Sequence, residues 1–310
     1  MLFLLLACSD YEYAELGQTE VFHQPEVSAS ADVLFVVDNS CSMEEEQGRL
    51  ASNFDAFVEV LSASYADFQL GVITTDVEDL GALQGELYTR DTPDLAAQFK
   101  ETVMVGTRGS KDEQGFENAL LALQYNPQFL RKDARLNVVF LSDEDDHSPA
   151  PVSAYLNEYK ALSGTGGLLV HGIVGDQPYG CAAQGTAANA GERYIEAAEI
   201  SGGYRDSICA EDYSDVLSRI GLQVVGLNDT FALNALPESD TLQVWVDKVL
   251  IPEREVDGWT YEPGPNAVVF HGRSVPRAGM EIFIEYMPMV GNSTASDESP
   301  AEDTAEDSGL

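Results

Sequence analysis

Positive charge is scarce in this chain. Its 310 residues include 16 Lys and Arg against 53 Asp and Glu, a formal net charge of −37. Such a surface repels polyanions, which argues against nucleic acid or anionic lipid as partners held by charge, and it draws in divalent cations. Histidine, cysteine and tryptophan are also few, at 4, 4 and 2 residues. The histidines (His23, His147, His171 and His271) are scattered, and only His147 adjoins the candidate site below. The chain has no His-Glu-x-x-His helix, no Gly-x-Ser-x-Gly elbow and no phosphate-binding loop, so the common signatures of zinc proteases, serine hydrolases and nucleotide enzymes are missing. The apolar run at residues 1–7 is too short to span a bilayer. What remains is ordinary globular material: 44% hydrophobic residues, enough for one large or two modest domains with a substantial core.

The most informative stretch runs from Ala31 to Met43. Ala31-Asp32-Val33-Leu34-Phe35-Val36-Val37 predicts a strand buried on both faces. It ends in Asp38-Asn39-Ser40-Cys41-Ser42-Met43, before a helical pattern that begins near Glu44. Three small oxygen donors spaced Asp-x-Ser-x-Ser therefore sit on a tight turn at the carboxyl edge of a parallel sheet, where open α/β sheets bind ligands. Oxygen-only donors suit a hard cation such as Mg2+, Mn2+ or Ca2+. The same pentapeptide also reads as a helix N-cap cluster.

In this context residues 38–43 resemble the metal-ion-dependent adhesion site of von Willebrand factor type A domains. The resemblance implies a hydroxyl from a second loop and an aspartate after a later strand. The strand at 136–141 is followed by Ser142-Asp143-Glu144-Asp145-Asp146, which puts Asp143 in the last position. The middle loop is 105–113, leading into a helix at 114–124. Aligning on Gly115-Phe116 and Ala119-Leu120 puts Ser110 where the family usually carries threonine, with Thr107 and Glu113 as alternatives. A glutamate there would make the site more anionic and move its preference toward Ca2+. On this reading Ser40, Ser42 and Ser110 bind the ion through neutral hydroxyls. Asp38 and Asp143 hold it through water or through hydrogen bonds to those serines. The ion keeps an open position, which an Asp or Glu of a protein partner completes. Asp76, after the second strand at 68–74, is either an outer member of the site or a turn residue. Glu144, Asp145 and Asp146 precede a helix predicted over 149–162 with Ser148 as its cap, and the helix dipole tolerates carboxylates there. They are not expected to ligate directly, although a second calcium stays open.

Strands alternating with helices over 30–225 predict a doubly wound, Rossmann-like α/β domain. This order matches the type A domain throughout. Gly71-Val72-Ile73-Thr74-Thr75-Asp76, Glu113-Gln114-Gly115 and residues 141–146 look like a branch found in bacterial surface lipoproteins. Segments 83–89 and 101–105 are expected to supply a short antiparallel edge strand and connections. His171, inside a core strand, reads as a satisfied interior histidine. From 227 to 288, period-two patterns such as Leu242-Gln243-Val244-Trp245-Val246 predict a small antiparallel β module. Residues 289–310 read as a disordered acidic tail.

The N-terminal Leu5-Leu6-Ala7-Cys8-Ser9 resembles a bacterial lipobox, which makes Cys8 the lipidated residue and residues 1–8 the remnant of a signal peptide. A membrane association through lipid alone follows. Ser9 resembles the sorting residue of outer-membrane lipoproteins, and residues 9–29 then read as a polar tether. Export permits disulfides, and Cys181 with Cys209 is the expected pair. The functional expectation is a cation-dependent binding or adhesion module of the bacterial envelope rather than an enzyme. Two other classes stay open: a scaffold whose ion is coordinatively closed, and a metal-dependent hydrolase, which would need a positioned base.

Overall fold

The structure, a computed structural model, describes residues 17–25, 30–64, 66–110, 112–183 and 186–289. Strand β1 (Gln18–His23) belongs to a second module treated below. The first domain is built on a six-stranded sheet made of β2 (Ala31–Val37), β3 (Phe68–Thr74), β4 (Tyr88–Thr89), β5 (Arg135–Ser142), β6 (Leu168–Val174) and β9 (Arg205–Ser207). A hairpin of β7 (Cys181–Ala183) and β8 (Thr186–Ala188) stands between β6 and β9 in the chain. The spatial order is β4-β3-β2-β5-β6-β9, parallel throughout except for β4. Helices α1 (Glu44–Ala63), α2 (Leu95–Thr102), α3 (Gly115–Tyr125), α4 (Val152–Leu162), α5 (Glu192–Ser201) and α6 (Ser214–Val224) intervene and cover both faces. This is the doubly wound α/β architecture expected from the sequence. The winding reverses at β2: β3 lies on one side of it and β5 on the other. A crevice therefore opens where the carboxyl ends of β2 and β5 meet.

The central strand is apolar on both faces because both faces are covered. Val33, Phe35 and Val37 join the core under α1 and α6, while Leu34 and Val36 join the core under α3 and α4. The Phe35 ring lies 5.9 Å from Phe54, 5.6 Å from Phe57 and 5.1 Å from Phe99. Burying each ring of this size contributes roughly 2–3 kcal/mol. Helix α1 presents Leu50, Phe54, Phe57 and Leu61 at the three- and four-residue spacing of one helical face. His171 is buried as expected: Nδ1 accepts from Tyr204 N at 3.0 Å and Nε2 lies 3.4 Å from Asn137 Oδ1.

Three boundaries differ from expectation. Segment 95–102 is a helix, and only Tyr88–Thr89 forms the short antiparallel edge strand. Helix α4 begins at Val152 with Pro151 as its cap, rather than at Pro149 with Ser148. Ser148 is committed elsewhere: its hydroxyl accepts from Glu117 N at 3.0 Å, while Asp146 Oδ1 accepts from Phe116 N at 3.0 Å. Together they satisfy the first free amides of α3. Finally, the polar tether expected over 9–29 gives way to structure at 18–23.

That segment, β1, is the edge strand of an antiparallel sheet ordered β1-β15-β11-β12, formed with β11 (Gln243–Val246), β12 (Val249–Ile251) and β15 (Glu281–Tyr286). A second sheet orders β10 (Thr230–Ala232), β13 (Trp259–Glu262) and β14 (Ala267–Phe270) as β10-β14-β13. The two sheets share a core that includes Phe231, Val244, Trp259, Phe270 and Ile284. Phe22 of β1 reaches Phe231 at 5.3 Å, and buried Glu20 accepts from Asn234 Nδ2 at 2.7 Å and from the Tyr286 hydroxyl. The strand is mostly polar and exposed, so its pairing was hidden from a hydropathy reading. Both flanks of the α/β domain thus fold into one module. Cys8 and the acidic tail from 290 onward lie outside the described residues, and among those described no helix is long and apolar enough to cross a membrane.

Cys181 and Cys209 form the expected disulfide, with Cα atoms 6.1 Å apart across a sequence separation of 28. Closing a loop of that length stabilises by about 3–4 kcal/mol on the chain-entropy model. The double Cys181→Ser, Cys209→Ser protein should lose about that much in urea unfolding. A loss below about 1 kcal/mol would show that the crosslink constrains little of the unfolded chain.

Candidate functional site

Five loops converge on the crevice, joined by backbone hydrogen bonds. Asp38 N donates to Leu141 O at 2.9 Å, Gly109 N to Asn39 O at 2.8 Å, Gln114 N to Thr75 O at 3.0 Å and Asn189 N to Asp143 O at 2.8 Å. Gln47, on the first turn of α1, donates from Nε2 to both Asp38 O and Gly106 O at 2.8 Å, and so ties the 105–110 loop to the end of β2. Gly109 passes so close to Asn39 that an added Cβ would lie 2.1 Å from Asn39 Oδ1, so a larger residue here would displace the Asn39 side chain.

Asp38 stands directly after β2 and is fully buried. Its Oδ1 accepts from Ser40 N at 2.7 Å and its Oδ2 from the Ser142 hydroxyl at 2.7 Å. Ser40 Oγ lies 3.3 Å from Ser42 Oγ, and Ser42 hydrogen-bonds Asp143, which follows β5. Asp38, Ser40, Ser42 and Asp143 are therefore brought together at the sheet edge, as their order in the chain suggested.

The middle loop resolves into distinct roles. Ser110 Oγ accepts from Asp112 N at 3.0 Å, and Ser110 N donates to Asp76 Oδ2 at 3.0 Å. Asp76 Oδ1 accepts from Glu78 N at 3.0 Å, so Asp76 acts as a turn residue that also braces this loop. Thr107 is half-buried on the same loop. Glu113 is fully buried, bridged to Asp76 through the backbone, and its Oε2 accepts from the Thr75 hydroxyl.

The electrostatics are one-sided. Asp38, Glu46, Glu113 and Asp143 are all buried, and the ion pairs among the described residues give none of them a basic partner. Burial, followed by the charge of Asp38, pushes the Glu113 carboxyl up to about 8. Burial pushes Asp143 up to about 6; the hydrogen bond from Ser42 partly offsets this, while the charges of Asp38 and Glu46 add to it. Burial also raises Asp38, against the hydrogen bonds from Ser142 and Ser40. Asp143 Oδ1, Glu113 Oε1 and Glu46 Oε2 are buried without any hydrogen-bond donor. Among the described residues no three His, Cys, Asp or Glu side chains stand together as a metal-holding group; the donors that do meet are the Ser40 and Ser42 hydroxyls with the Asp143 carboxyl, an all-oxygen set of the kind a hard divalent cation takes.

Asp145 and Asp146 are engaged by Arg193. Asp145 Oδ1 accepts from Arg193 N at 2.9 Å, and Asp146 pairs with Arg193 at 3.3 Å. His147 is exposed and lies 3.7 Å from Asp112. Sequence reasoning missed Glu46, Gln47 and Ser142. Glu46 and Gln47 carry a usable signal: they continue the buried face of α1 one turn before Leu50, where a solvated polar residue is out of place.

No known family profile matches this sequence, and no curated protein matches it. Solved structures do. The pilus adhesin SpaC from Lactobacillus rhamnosus GG is 13% identical with a TM-score of 0.47, covering 90% of this chain and 44% of the adhesin. This chain thus spans less than half of that adhesin. A von Willebrand factor type A structure from Catenulispora acidiphila is 15% identical with a TM-score of 0.39, covering 93% of this chain and 68% of the other. An aerotolerance-related membrane protein from Bacteroides fragilis NCTC 9343 is 14% identical with a TM-score of 0.37, covering 63% and 98%. The fold itself rests on the strand order and crossovers given above.

Proposed function

We propose that this chain is a von Willebrand factor type A protein of the bacterial envelope, which binds a protein partner through one divalent cation. One observation carries the reading: at the sheet's switch point Asp38, Glu46, Glu113 and Asp143 are buried, the last three each leave one oxygen without a hydrogen-bond donor, and none forms an ion pair among the described residues. Ser40, Ser42, Asp143 and a group of the 105–113 loop would hold the ion, with Asp38 oriented from behind by Ser40 N and Ser142. A bound ion would supply the positive charge that draws in a partner carboxylate. The chain's own part is to fix these donors in place, which the Gln47 and Gly109 contacts accomplish.

Binding is favoured over turnover because His147, the one histidine adjoining the crevice in sequence, is exposed and lies 3.7 Å from Asp112. The lipobox-like start supports an envelope lipoprotein anchored through Cys8, held on its membrane by lipid alone. The test is calorimetric titration of chelator-treated protein with Mg2+, Mn2+ and Ca2+. One saturable site per chain is the expected result, and no measurable binding of any of the three would end the reading.

A further inference from the structure

A cleft of about 610 Å3 lies where α1 and α6 meet loops 255–257 and 271–277 of the second module. Clefts between packed modules are common binding sites. Ala56 and Ala63 of α1 and Leu222 of α6 wall it on one side, Val256 and Val275 on the other. Val256 is 73% exposed. Arg273, whose charge Glu59 feels, is held by Asp257 at 2.7 Å. Glu59, Glu255 and Arg277 also line the cleft, and none of these three forms an ion pair among the described residues.

A matching surface stands elsewhere on the same module. The hairpin of β11 and β12 turns on Asp247 and Lys248, both in the left-handed region at φ 46° and 69°. Such two-residue turns favour Asn-Gly, so two residues with full side chains are held there at a conformational cost. The turn is pinned: Asp247 N donates to Glu281 O at 2.9 Å, and Glu281 N donates to Asp247 Oδ1 at 3.0 Å. Directly after it, Val249 and Leu250 are 62% and 59% exposed. Asp247 and Lys248 form no ion pair among the described residues. The tip is thus a rigid knob of two aliphatic side chains beside one anion and one cation. None of residues 247–250 lines the chain's own cleft.

We propose that the cleft receives the β11–β12 hairpin tip of a second copy of this chain, so that the protein self-associates away from the crevice. Val249 and Leu250 of one copy fill the apolar walls of the other. Lys248 meets the unpaired Glu59 and Glu255, and Asp247 meets Arg277, so both signs of charge are matched. That matching selects the occupant. With 53 acidic against 16 basic residues, copies of this chain repel one another over most of their surface. They approach where each carries a free cation opposite a free anion. A preorganised tip loses little freedom on docking, which favours a contact of this small size. The contact is of the weak, transient class. Helix α1 starts beside the crevice at Glu44 and reaches the cleft at Ala56, about 18 Å further along its axis, so the two surfaces are separate.

Sedimentation velocity over a concentration series tests this on the full chain, with free thiols alkylated and chelator present so that neither Cys41 nor a cation joins copies. Native protein should self-associate in the micromolar range. Leu250→Asp, which spoils the knob, and Ala63→Arg, which blocks the cleft, should each weaken association by about tenfold or more. Both positions are exposed, so circular dichroism should show both variants folded. Mixing the two should restore association in one-to-one pairs, because each carries the half that the other lacks. Lys248→Glu should weaken association, and added salt should weaken it in native protein. A native chain that stays monomeric to millimolar concentration would overturn the inference and leave the cleft to a different occupant. Association that survives both Leu250→Asp and Ala63→Arg, or two variants that fail to combine, would overturn it as well.

Discussion

Asp38→Ala should lower divalent-cation affinity by about a thousandfold or more while leaving the chain folded. Asp38 is buried at the switch point of the sheet, where it orders the Ser40 backbone and the Ser142 hydroxyl through 2.7 Å hydrogen bonds. Removing it deletes one charge from the centre and releases the turn that aims Ser40 and Ser42. Loss of a charged partner together with its positioning exceeds the 10- to 100-fold typical of an outer residue alone. Stability should respond in the opposite sense. Without cation, the variant should melt no lower than native protein, because it has lost one of several like charges buried together. With cation, native protein should gain stability that the variant does not. Calorimetric titration and thermal melts with and without chelator decide the matter. Retained affinity in Asp38→Ala would place the ion elsewhere, and a collapsed chelated variant would show Asp38 to be a fold residue.

The second large effect is a pH dependence that the cation should erase. Glu113 sits near 8 in the folded chain against an ordinary value of 4.5. Between those values the folded state holds a proton that the unfolded state has lost, so the chelated protein loses stability as pH rises. Each pH unit in that window costs about 1.4 kcal/mol. Asp143, raised to about 6, adds the same sign at lower pH. His171 opposes them below 6.5: burial holds it near 3, so its stabilising contribution is lost as pH falls. The clean window is therefore pH 6.5 to 8, where Glu113 acts above the ranges of Asp143 and His171. Chelated protein should lose about 2 kcal/mol across it. Saturating Ca2+ should flatten the slope, because bound cation favours the ionised carboxylates, and the melting-point gain on adding Ca2+ should be larger at pH 8 than at 6.5. A chelated protein whose melting point is level from pH 6.5 to 8 would mean that Glu113 is ionised and already satisfied by something else.

How much of this was legible beforehand follows from where each signal lives. The run at residues 31–37 is apolar at every position except Asp32, as a strand covered on both sides must be, and its end at Asp38 was readable to the residue. The Asp143 position followed in the same way from β5. The disulfide was readable because only three cysteines remain besides Cys8, and one of them, Cys41, lies inside the Asp-x-Ser-x-Ser turn. By contrast, β1 was read as tether because Gln18, Glu20 and His23 give no apolar alternation. Its partner β15 lies more than 250 residues away in the chain, as the Tyr286–Glu20 contact shows. The choice among Thr107, Ser110 and Glu113 was equally closed to sequence, since all three are small or acidic oxygen donors on one loop.

What the sequence determined by itself was the alternation of strands and helices, and hence the crossovers that bring the ends of β2 and β5 to one edge. These depend on periodicity within each segment and on the fixed hand of parallel crossovers, both local properties. What only the tertiary structure decided was which polar groups are buried and left unpaired. Glu46 and Glu113 are ordinary acidic residues until other segments enclose them, Ser142 becomes a partner of Asp38 only across 104 residues of chain, and the Ser110 hydroxyl accepts from Asp112 N of its own turn. Burial and hydrogen-bond satisfaction are properties of neighbours, and the neighbours that matter at this edge come from five separate loops.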